Sequence, residues 1–212
     1  MRLINSQNIL VSFDGPKGVG KSSLIEAVHA ILKSKIETTC CSEKIIDRDR
    51  KVAEDLLKKY FNNSSMESDR EILLQLARNR AQISRNVLDK MKSPIVLIDR
   101  WYPSDIVFRR HLSDVECLAV NLDAGCRIPD LILAITCDPA ISWERATRRN
   151  RGLDSLVIRD FEGHKQASQV FELAASKLQW TIIRTEKPID ESAAEITSVI
   201  LKLPRLASFG IT

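Results

Sequence analysis

The amino-acid sequence predicts an α/β fold in which a parallel five-stranded sheet is covered by helices on both faces. Short apolar, β-branched segments alternate with helical periodicities along the chain, which is typical of parallel sheets that are buried on both sides. A chain of 212 residues can bury one full core, and the sequence shows no linker or internal repeat. We therefore expect residues 1–212 to form a single domain.

Five segments have the composition of buried strands. They are short and rich in Val, Ile, Leu or Thr, and turn-forming or charged residues follow most of them. The predicted strands are residues 9–13, 36–41, 95–98, 131–136 and 180–184.

Seven segments have apolar residues at helical spacing. One follows the first strand and ends near Leu32, and another begins at Pro103 or Ser104 and continues toward Leu122. The others are residues 44–59, 68–92, a helix that begins at Pro139, residues 161–178 and residues 189–201.

The connection between the first strand and the first helix carries the pattern G-x-x-x-x-G-K-[ST] at residues 15–22. In this pattern the loop amides surround a polyphosphate, a lysine reaches the β- and γ-phosphates, and a hydroxyl binds Mg²⁺. The pattern predicts a P-loop NTPase-type three-layer fold, with Ser22 as a ligand of Mg²⁺ and Lys21 as a catalytic residue. The predicted ATP-binding residues of this segment are Gly15, Lys17, Gly18, Val19, Gly20, Lys21, Ser22 and Ser23.

The dipeptide Asp99-Arg100 follows the third predicted strand. Ligands of parallel α/β sheets lie at the carboxyl ends of the strands, where the 15–22 loop is also expected. Asp99 is therefore a candidate for orienting Mg²⁺ or a phosphate, with a helix cap or an ion pair to Arg100 as the alternative. The planar guanidinium of Arg100 suits an acceptor phosphate.

The overall charge does not indicate a nucleic-acid partner. The chain has 32 Lys and Arg against 28 Asp and Glu, a net charge of +4, and its densest basic cluster is confined to residues 145–151. Nucleic-acid binding usually shows a basic face or stripe, and stacking on single strands needs aromatic side chains, which make up only 5% of this chain.

The cysteine pattern favours a reducing compartment. The five cysteines are an odd number and form no C-x-x-C, so neither a disulfide framework nor a zinc site is indicated. No apolar stretch approaches the roughly 20 residues that span a bilayer. We expect a cytoplasmic protein without a membrane partner.

Four segments in the same order make the chain similar to the thymidylate kinase family of P-loop nucleoside monophosphate kinases. They are FDGPKGVGKSS, LQLARNRAQ, DRWYPSDIVFR and DPAISWERATRRNRGLD, and they extend over most of the chain. The resemblance implies ATP- and Mg²⁺-dependent phosphoryl transfer to a nucleotide-like small molecule. It also implies a short lid at residues 145–160 and, by analogy, a homodimer.

The resemblance assigns the arginines of the lid to the transferring phosphoryl group. Arg149 and Arg151 are predicted to be catalytic, because Arg151-Gly152 stands where the family has an Arg-Gly pair. Arg145 is predicted to contact ATP, and the remaining lid arginines are interpreted as a solvated helix face.

The resemblance also implies an acceptor site. Arg80 corresponds to an arginine that reads the acceptor base, with an exposed helix arginine as the alternative, and Ser104 corresponds to a base-side hydroxyl, with a helix N-cap as the alternative. Leu76, Phe108 and Arg109 stand where the family has an aromatic ring, a tyrosine and a glutamine. Arg100 would bind the acceptor phosphate.

Several of these positions depart from the family pattern. Lys17 replaces an acidic residue that contacts the sugar, and Arg109 has donors only. The departures suggest an acceptor with more negative charge, or with different polar groups, in place of strict thymidylate specificity.

Two other functions remain open from the sequence. Glu43 follows the second predicted strand, where deoxynucleoside kinases have a base for an alcohol acceptor. The chain could therefore be a kinase of a nucleoside or another small-molecule hydroxyl, with an exposed loop glutamate as the alternative for Glu43. A non-catalytic nucleotide-binding protein is the third interpretation.

Overall fold

A computed structural model describes residues 8–148 and 158–210 and contains a five-stranded sheet. Its strands are β1 (Ile9–Asp14), β2 (Thr38–Ser42), β3 (Ile95–Asp99), β4 (Leu131–Thr136) and β5 (Thr181–Arg184). They lie in the order β2-β3-β1-β4-β5, and every neighbouring pair is parallel. The predicted five-stranded parallel sheet is confirmed.

Helices connect the strands. They are α1 (Lys21–Leu32), α2 (Glu43–Ile46), α3 (Arg50–Lys59), α4 (Met66–Asn86), α5 (Asp105–Phe108), α6 (Asp114–Asp123), α7 (Pro139–Arg148), α8 (Phe161–Lys177) and α9 (Ile189–Leu201). Short 3₁₀ turns span Leu88–Lys90, Tyr102–Ser104 and Pro204–Phe209.

The central strand β1 supplies core residues to both faces of the sheet. Its first, third and fifth side chains pack with α1 and α9, whereas Leu10 packs against α4 on the opposite face. This division follows from the alternation of side chains along a strand. All six residues of β1 are buried, so its polar end residue, Asp14, is held inside the protein next to the 15–22 loop.

Two segments predicted as continuous helices are interrupted. In the 44–59 segment, Asp47 accepts a hydrogen bond from the Asp49 amide at 3.0 Å and forms a turn between α2 and α3. In the segment predicted to continue toward Leu122, Ser113 caps α6 by accepting from the Glu116 amide at 3.1 Å. The helical spacing of apolar residues continues across both turns, so the sequence pattern predicts one continuous helix in each segment. The side-chain hydrogen bonds of Asp47 and Ser113 interrupt these helices.

The helix predicted at residues 68–92 is α4, and both of its ends differ from the prediction. Ser65 and Ser68 form reciprocal side-chain-to-backbone hydrogen bonds that begin α4 at Met66. The helix stops at Asn86, six residues before the predicted end at Lys92, and a 3₁₀ turn replaces its last part. The second strand likewise begins at Thr38, two residues after the predicted start.

The backbone of the 15–22 loop packs directly against the backbones of β4 and α7. A Cβ atom at Gly15 would lie 2.2 Å from the Ile135 carbonyl oxygen, and one at Gly18 would lie 1.9 Å from that of Ser142 in α7. Both glycines also have φ values, +146° and +81°, that disfavour other residues. The loop can therefore lie against β4 and α7 only because these positions carry no side chain.

The substitution Gly18→Ala should destabilise the protein more than Gly125→Ala. Gly125 has a similar φ of +84°, but a Cβ atom added there would meet no other atom within 4 Å, so its replacement should cost only the backbone strain, about 1 kcal/mol. G18A adds a clash with the α7 backbone and should cost about 3 kcal/mol or more. Urea denaturation of both variants measures the difference, and equal losses would contradict the packing described here.

Candidate active site

The 15–22 loop surrounds the end of the Lys21 side chain. Lys21 is buried, and its Nζ donates to the carbonyl oxygens of Gly15 at 3.1 Å and Pro16 at 2.6 Å. Gly20, with φ of +91°, directly precedes α1, whose first residue is Lys21. A buried ammonium and a helix N-terminus together favour an anion.

Ser22 and Asp99 meet beside this loop. The Ser22 hydroxyl donates to Asp99 Oδ2 at 3.3 Å, which joins the start of α1 to the end of β3. The other carboxylate oxygen, Oδ1, is buried and has no hydrogen-bond partner in the described part of the chain. A hydroxyl and a carboxylate with a spare oxygen are hard oxygen donors, so the pair fits Mg²⁺.

Arg100 lies across the same end of the sheet. Its backbone is left-handed, with φ of +65°, and its amide donates to the Phe13 carbonyl at 3.1 Å. Its Nη1 donates to the Gly15 carbonyl at 2.9 Å, and its Cζ lies 4.9 Å from the centre of the Phe108 ring. The guanidinium therefore bridges the 15–22 loop and the surface of α5.

A cavity of about 200 Å³ lies on the α9 side of the loop. Gly18, Gly20, Ser23 and Arg145 line it together with Lys187, a residue that follows β5. Four residues that the sequence predicts to bind ATP thus share one cavity at the start of α1.

A larger cavity of about 410 Å³ lies between the α3–α4 connection, α5 and the residues before α8. Phe108 and Arg109 line it, as do Leu57 and Ile72 on its apolar side. The Phe108 ring, which lines this cavity, also contacts the Arg100 guanidinium.

Arg109 is buried at the wall of the larger cavity. Its Nη1 pairs with Asp69 Oδ1 at 3.4 Å, and its Nε has no hydrogen-bond partner in residues 8–148 and 158–210. Burial lowers the pKa of Arg109, although Asp69 opposes that shift. Asp69 also accepts from the amide and Nδ1 of His111, at 3.0 and 2.8 Å.

Arg80 forms an internal ion cluster. Its Nε and Nη2 donate to the two oxygens of Glu43 at 3.0 and 3.3 Å, and its Nη1 and Nη2 donate to the two oxygens of Asp105 at 2.5 and 3.1 Å. Nη1 also donates to Asn121 Oδ1 at 2.9 Å, so all five donors of the guanidinium are used within the protein. Burial alone would lower the pKa of Arg80, but Asp105 and Glu43 together raise it.

The predicted acceptor residues therefore separate into two groups. Phe108 and Arg109 line the larger cavity and Arg100 touches Phe108, whereas the other four do not line that cavity. Glu43 and Arg80 bind each other, and Leu76 packs with Ala53 and with Ile72 of the cavity wall. Ser104 donates to Asp14 Oδ1 at 2.7 Å.

The remaining predicted loop and lid residues are described in part. Val19 is fully buried, and its carbonyl accepts from the Thr185 hydroxyl at 2.8 Å. Lys17 is partly exposed at the beginning of the loop. The two predicted catalytic arginines of the lid, Arg149 and Arg151, lie outside the described residues.

Two polar contacts at the site were missed from the sequence. Asp14 is fully buried, and burial raises its pKa to about 6 although hydrogen bonds from Trp101 and Ser104 oppose the shift. The Ser142 hydroxyl and His164 Nε2 lie 2.8 Å apart and join α7 to α8. The position of Asp14, directly before the 15–22 loop and at the end of an apolar strand, could have identified it from the sequence. Ser142 and His164 are 22 residues apart, and no sequence pattern connects them.

Three further observations limit the kinds of site. No group of three or more metal-binding side chains occurs in the described ranges, and Mg²⁺ at a phosphate needs only one or two protein ligands. All five cysteines are free. Among the described helices, none is both long and apolar enough to cross a membrane.

Comparison with known proteins places this arrangement beside one family. A family model described as Thymidylate kinase matches residues 13–196. A thymidylate kinase of Bacillus velezensis is 30% identical over 146 residues, which cover 66% of this chain and 68% of that protein. Those of Dictyostelium discoideum and Geobacillus sp. are 24% and 25% identical, covering 91% and 90% of this chain and 85% and 94% of their own lengths.

The substitution Asp105→Asn should destabilise the protein by about 3 kcal/mol, because it breaks a buried ion pair from one side. Both Asp105 oxygens accept from Arg80, and Oδ2 also accepts from Asn121 at 2.9 Å. Either orientation of an asparagine amide would therefore face a donor. Asp123→Asn, on the exposed end of α6, is the control and should change the unfolding free energy by less than about 0.5 kcal/mol. Similar losses in the two variants would contradict the cluster.

Proposed function

The chain belongs to the thymidylate kinase family, and we propose that it transfers the γ-phosphoryl group of ATP to a nucleoside monophosphate or a nucleotide-like small molecule. It is a kinase of the thymidylate kinase type. The use of ATP with Mg²⁺ and an acceptor other than strict thymidylate are the parts that we propose.

The position of Arg100 is the observation that carries this proposal. Its guanidinium contacts the Gly15 carbonyl of the phosphate loop and lies over the Phe108 ring at the edge of the larger cavity. A cation at that point can approach a donor phosphate on one side and an acceptor phosphate on the other. It would offset the repulsion between them and hold the two reacting atoms close together.

On the donor side, the loop amides and Lys21 would hold the β- and γ-phosphates. The Lys21 ammonium already lies in the loop, where carbonyl oxygens occupy its donors, and a triphosphate would replace them as a stronger acceptor. The nucleoside end of ATP would then lie in the cavity lined by Ser23 and Arg145.

Ser22 and Asp99 are the residues that would hold Mg²⁺. The ion, when bound, neutralises charge on the β- and γ-phosphates. The hydroxyl of Ser22 at the start of α1 and the spare oxygen of Asp99 at the end of β3 are fixed by separate elements, so their spacing is set by the sheet.

On the acceptor side, a phosphate oxygen would attack the γ-phosphorus as the bond to the leaving diphosphate breaks. A monophosphate is largely ionised at neutral pH, so this step needs little proton transfer. Arg149 and Arg151 are proposed to approach the transferring group from the lid, and Arg145 to contact the donor. Lys17 and Arg109 are proposed to favour an acceptor with additional negative or hydrogen-bond-accepting groups.

The geometry of Glu43 favours a phosphate acceptor over an alcohol acceptor. A general base needs a carboxylate oxygen within reach of the hydroxyl proton, but both Glu43 oxygens accept from the buried Arg80, and Arg50 lies 3.8 Å from one of them. A nucleoside kinase remains the second candidate because Glu43 follows β2 at the carboxyl end of the sheet.

Three broader features are part of the same proposal. We propose one domain over residues 1–212, a cytoplasmic location, which the free thiols support, and a homodimer by analogy with the family.

Assays of ATP consumption against nucleoside monophosphates and nucleosides test the proposal. Wild-type protein with ATP and Mg²⁺ should convert at least one monophosphate into a diphosphate. Lys21→Ala should lower kcat by about 100-fold or more, because the phosphate charge loses its buried cation. Lys33→Ala, at the exposed end of the same helix, should leave kcat within about twofold.

Three results would contradict the proposal. Conversion of nucleosides alone would favour the alcohol kinase, ATP binding without turnover on any acceptor would favour the non-catalytic protein, and full activity of K21A would remove the donor site.

A further inference from the structure

We propose that Asp14 is a positioning residue that fixes Arg100 against the phosphate loop by holding the turn that follows β3. This inference rests on the function proposed above and gives a role to Asp14, a residue of the segment FDGPKGVGKSS to which neither the sequence motifs nor the comparisons assign one.

The first observation is the set of bonds around the Asp14 carboxyl. Its Oδ1 accepts from the Trp101 amide at 2.9 Å and from the Ser104 hydroxyl at 2.7 Å. Its Oδ2 is buried and has no hydrogen-bond partner in the described ranges. One oxygen atom of Asp14 therefore accepts hydrogen bonds from two residues that follow β3, Trp101 and Ser104.

The second observation is the backbone of that turn. Arg100 has φ of +65°, a conformation that costs a non-glycine residue about 1 kcal/mol or more. The bonds on either side of it hold that conformation. Its own amide donates to the Phe13 carbonyl, and the next amide, that of Trp101, donates to Asp14.

The third observation concerns the Arg100 side chain. Its Nη1 lies 2.9 Å from the Gly15 carbonyl and 3.5 Å from Ser104 Oγ. Ser104 in turn donates to Asp14, which is the residue directly before Gly15. Asp14 therefore contacts the neighbourhood of Arg100 in two ways. It accepts from the backbone amide of the next residue, Trp101, and from the Ser104 hydroxyl that lies beside the guanidinium.

Burial of the Asp14 carboxylate costs free energy of folding unless hydrogen bonds compensate for it. Burial is the largest influence on the pKa of Asp14 and raises it to about 6. Arg100 and Tyr102 are the titratable groups with which it interacts. An apolar side chain would avoid the burial of charge, but it would leave the Trp101 amide and the Ser104 hydroxyl without this acceptor.

The test compares Asp14→Ala with Asp14→Asn. An asparagine retains an oxygen that can accept from Trp101 and Ser104, whereas an alanine does not. We expect D14A to lower kcat for the best acceptor by about 30-fold or more, with KM for ATP changed by less than about threefold, because only the position of Arg100 is lost. D14N should restore kcat to within about fivefold of wild type, since a neutral acceptor holds the turn less strongly than a carboxylate.

A control comes from the other end of β1. Asp130 also accepts from a backbone amide of this strand, that of Leu10 at 2.8 Å, but lies away from the loop. D130N should leave kcat within about threefold of wild type at a temperature where every variant is folded.

Hydrogen exchange of the Trp101 amide gives a readout that does not need turnover. Exchange should be faster by about 30-fold or more in D14A and nearly unchanged in D14N and D130N, because only D14A removes its acceptor. Should D14A fail to fold, Ser104→Ala replaces it and should lower kcat by about fivefold with KM for ATP unchanged.

The proposal is overturned if folded D14A keeps kcat within threefold, or if its Trp101 amide exchanges at the wild-type rate. It is also overturned if D14N loses as much activity as D14A, or if S104A, used in its place, has wild-type kcat. A wild-type protein without kinase activity would instead refute the proposed function, and the exchange data would still decide the role of Asp14.

Discussion

The close approach of three backbone segments at the carboxyl end of β1 is the constraint on which the site depends. Gly15 lies against the Ile135 carbonyl and Gly18 against that of Ser142, at distances that admit no Cβ. The loop that carries Lys21 is thereby held against both β4 and α7. Arg100 donates to the Gly15 carbonyl and contacts Phe108 of α5. These contacts fix the positions of Lys21 and Arg100, the two cations on which the proposed transfer depends.

Several charged residues predicted for the acceptor site are instead paired inside the protein. The Arg80 cluster uses every donor of one guanidinium on Glu43, Asp105 and Asn121. A buried ion cluster of this kind is costly to open, because each ion would lose its partner in a low-dielectric interior. Specificity in this kinase is therefore expected to depend on the residues that line the larger cavity, such as Phe108 and Arg109.

The sequence was sufficient for the parallel sheet and for the loop between β1 and α1, because β-branched runs and spaced glycines are local signals. It was insufficient for the turns at Asp47 and Ser113, since apolar spacing continues across both. The partners of Arg80 lie 37 and 25 residues away in sequence, and no local pattern joins them. Asp14 was visible beside the motif, but its bond to Trp101 spans 87 residues and needed the fold.

A crystal structure with Mg²⁺ and a non-hydrolysable ATP analogue would test the central claim most directly. We predict that the triphosphate lies in the 15–22 loop and that Lys21 Nζ leaves the Gly15 and Pro16 carbonyls to bind it. Ser22 and Asp99 should then flank the metal ion, with Arg100 directed toward the γ-phosphate. A triphosphate bound elsewhere, with Lys21 still on the two carbonyls, would contradict this account.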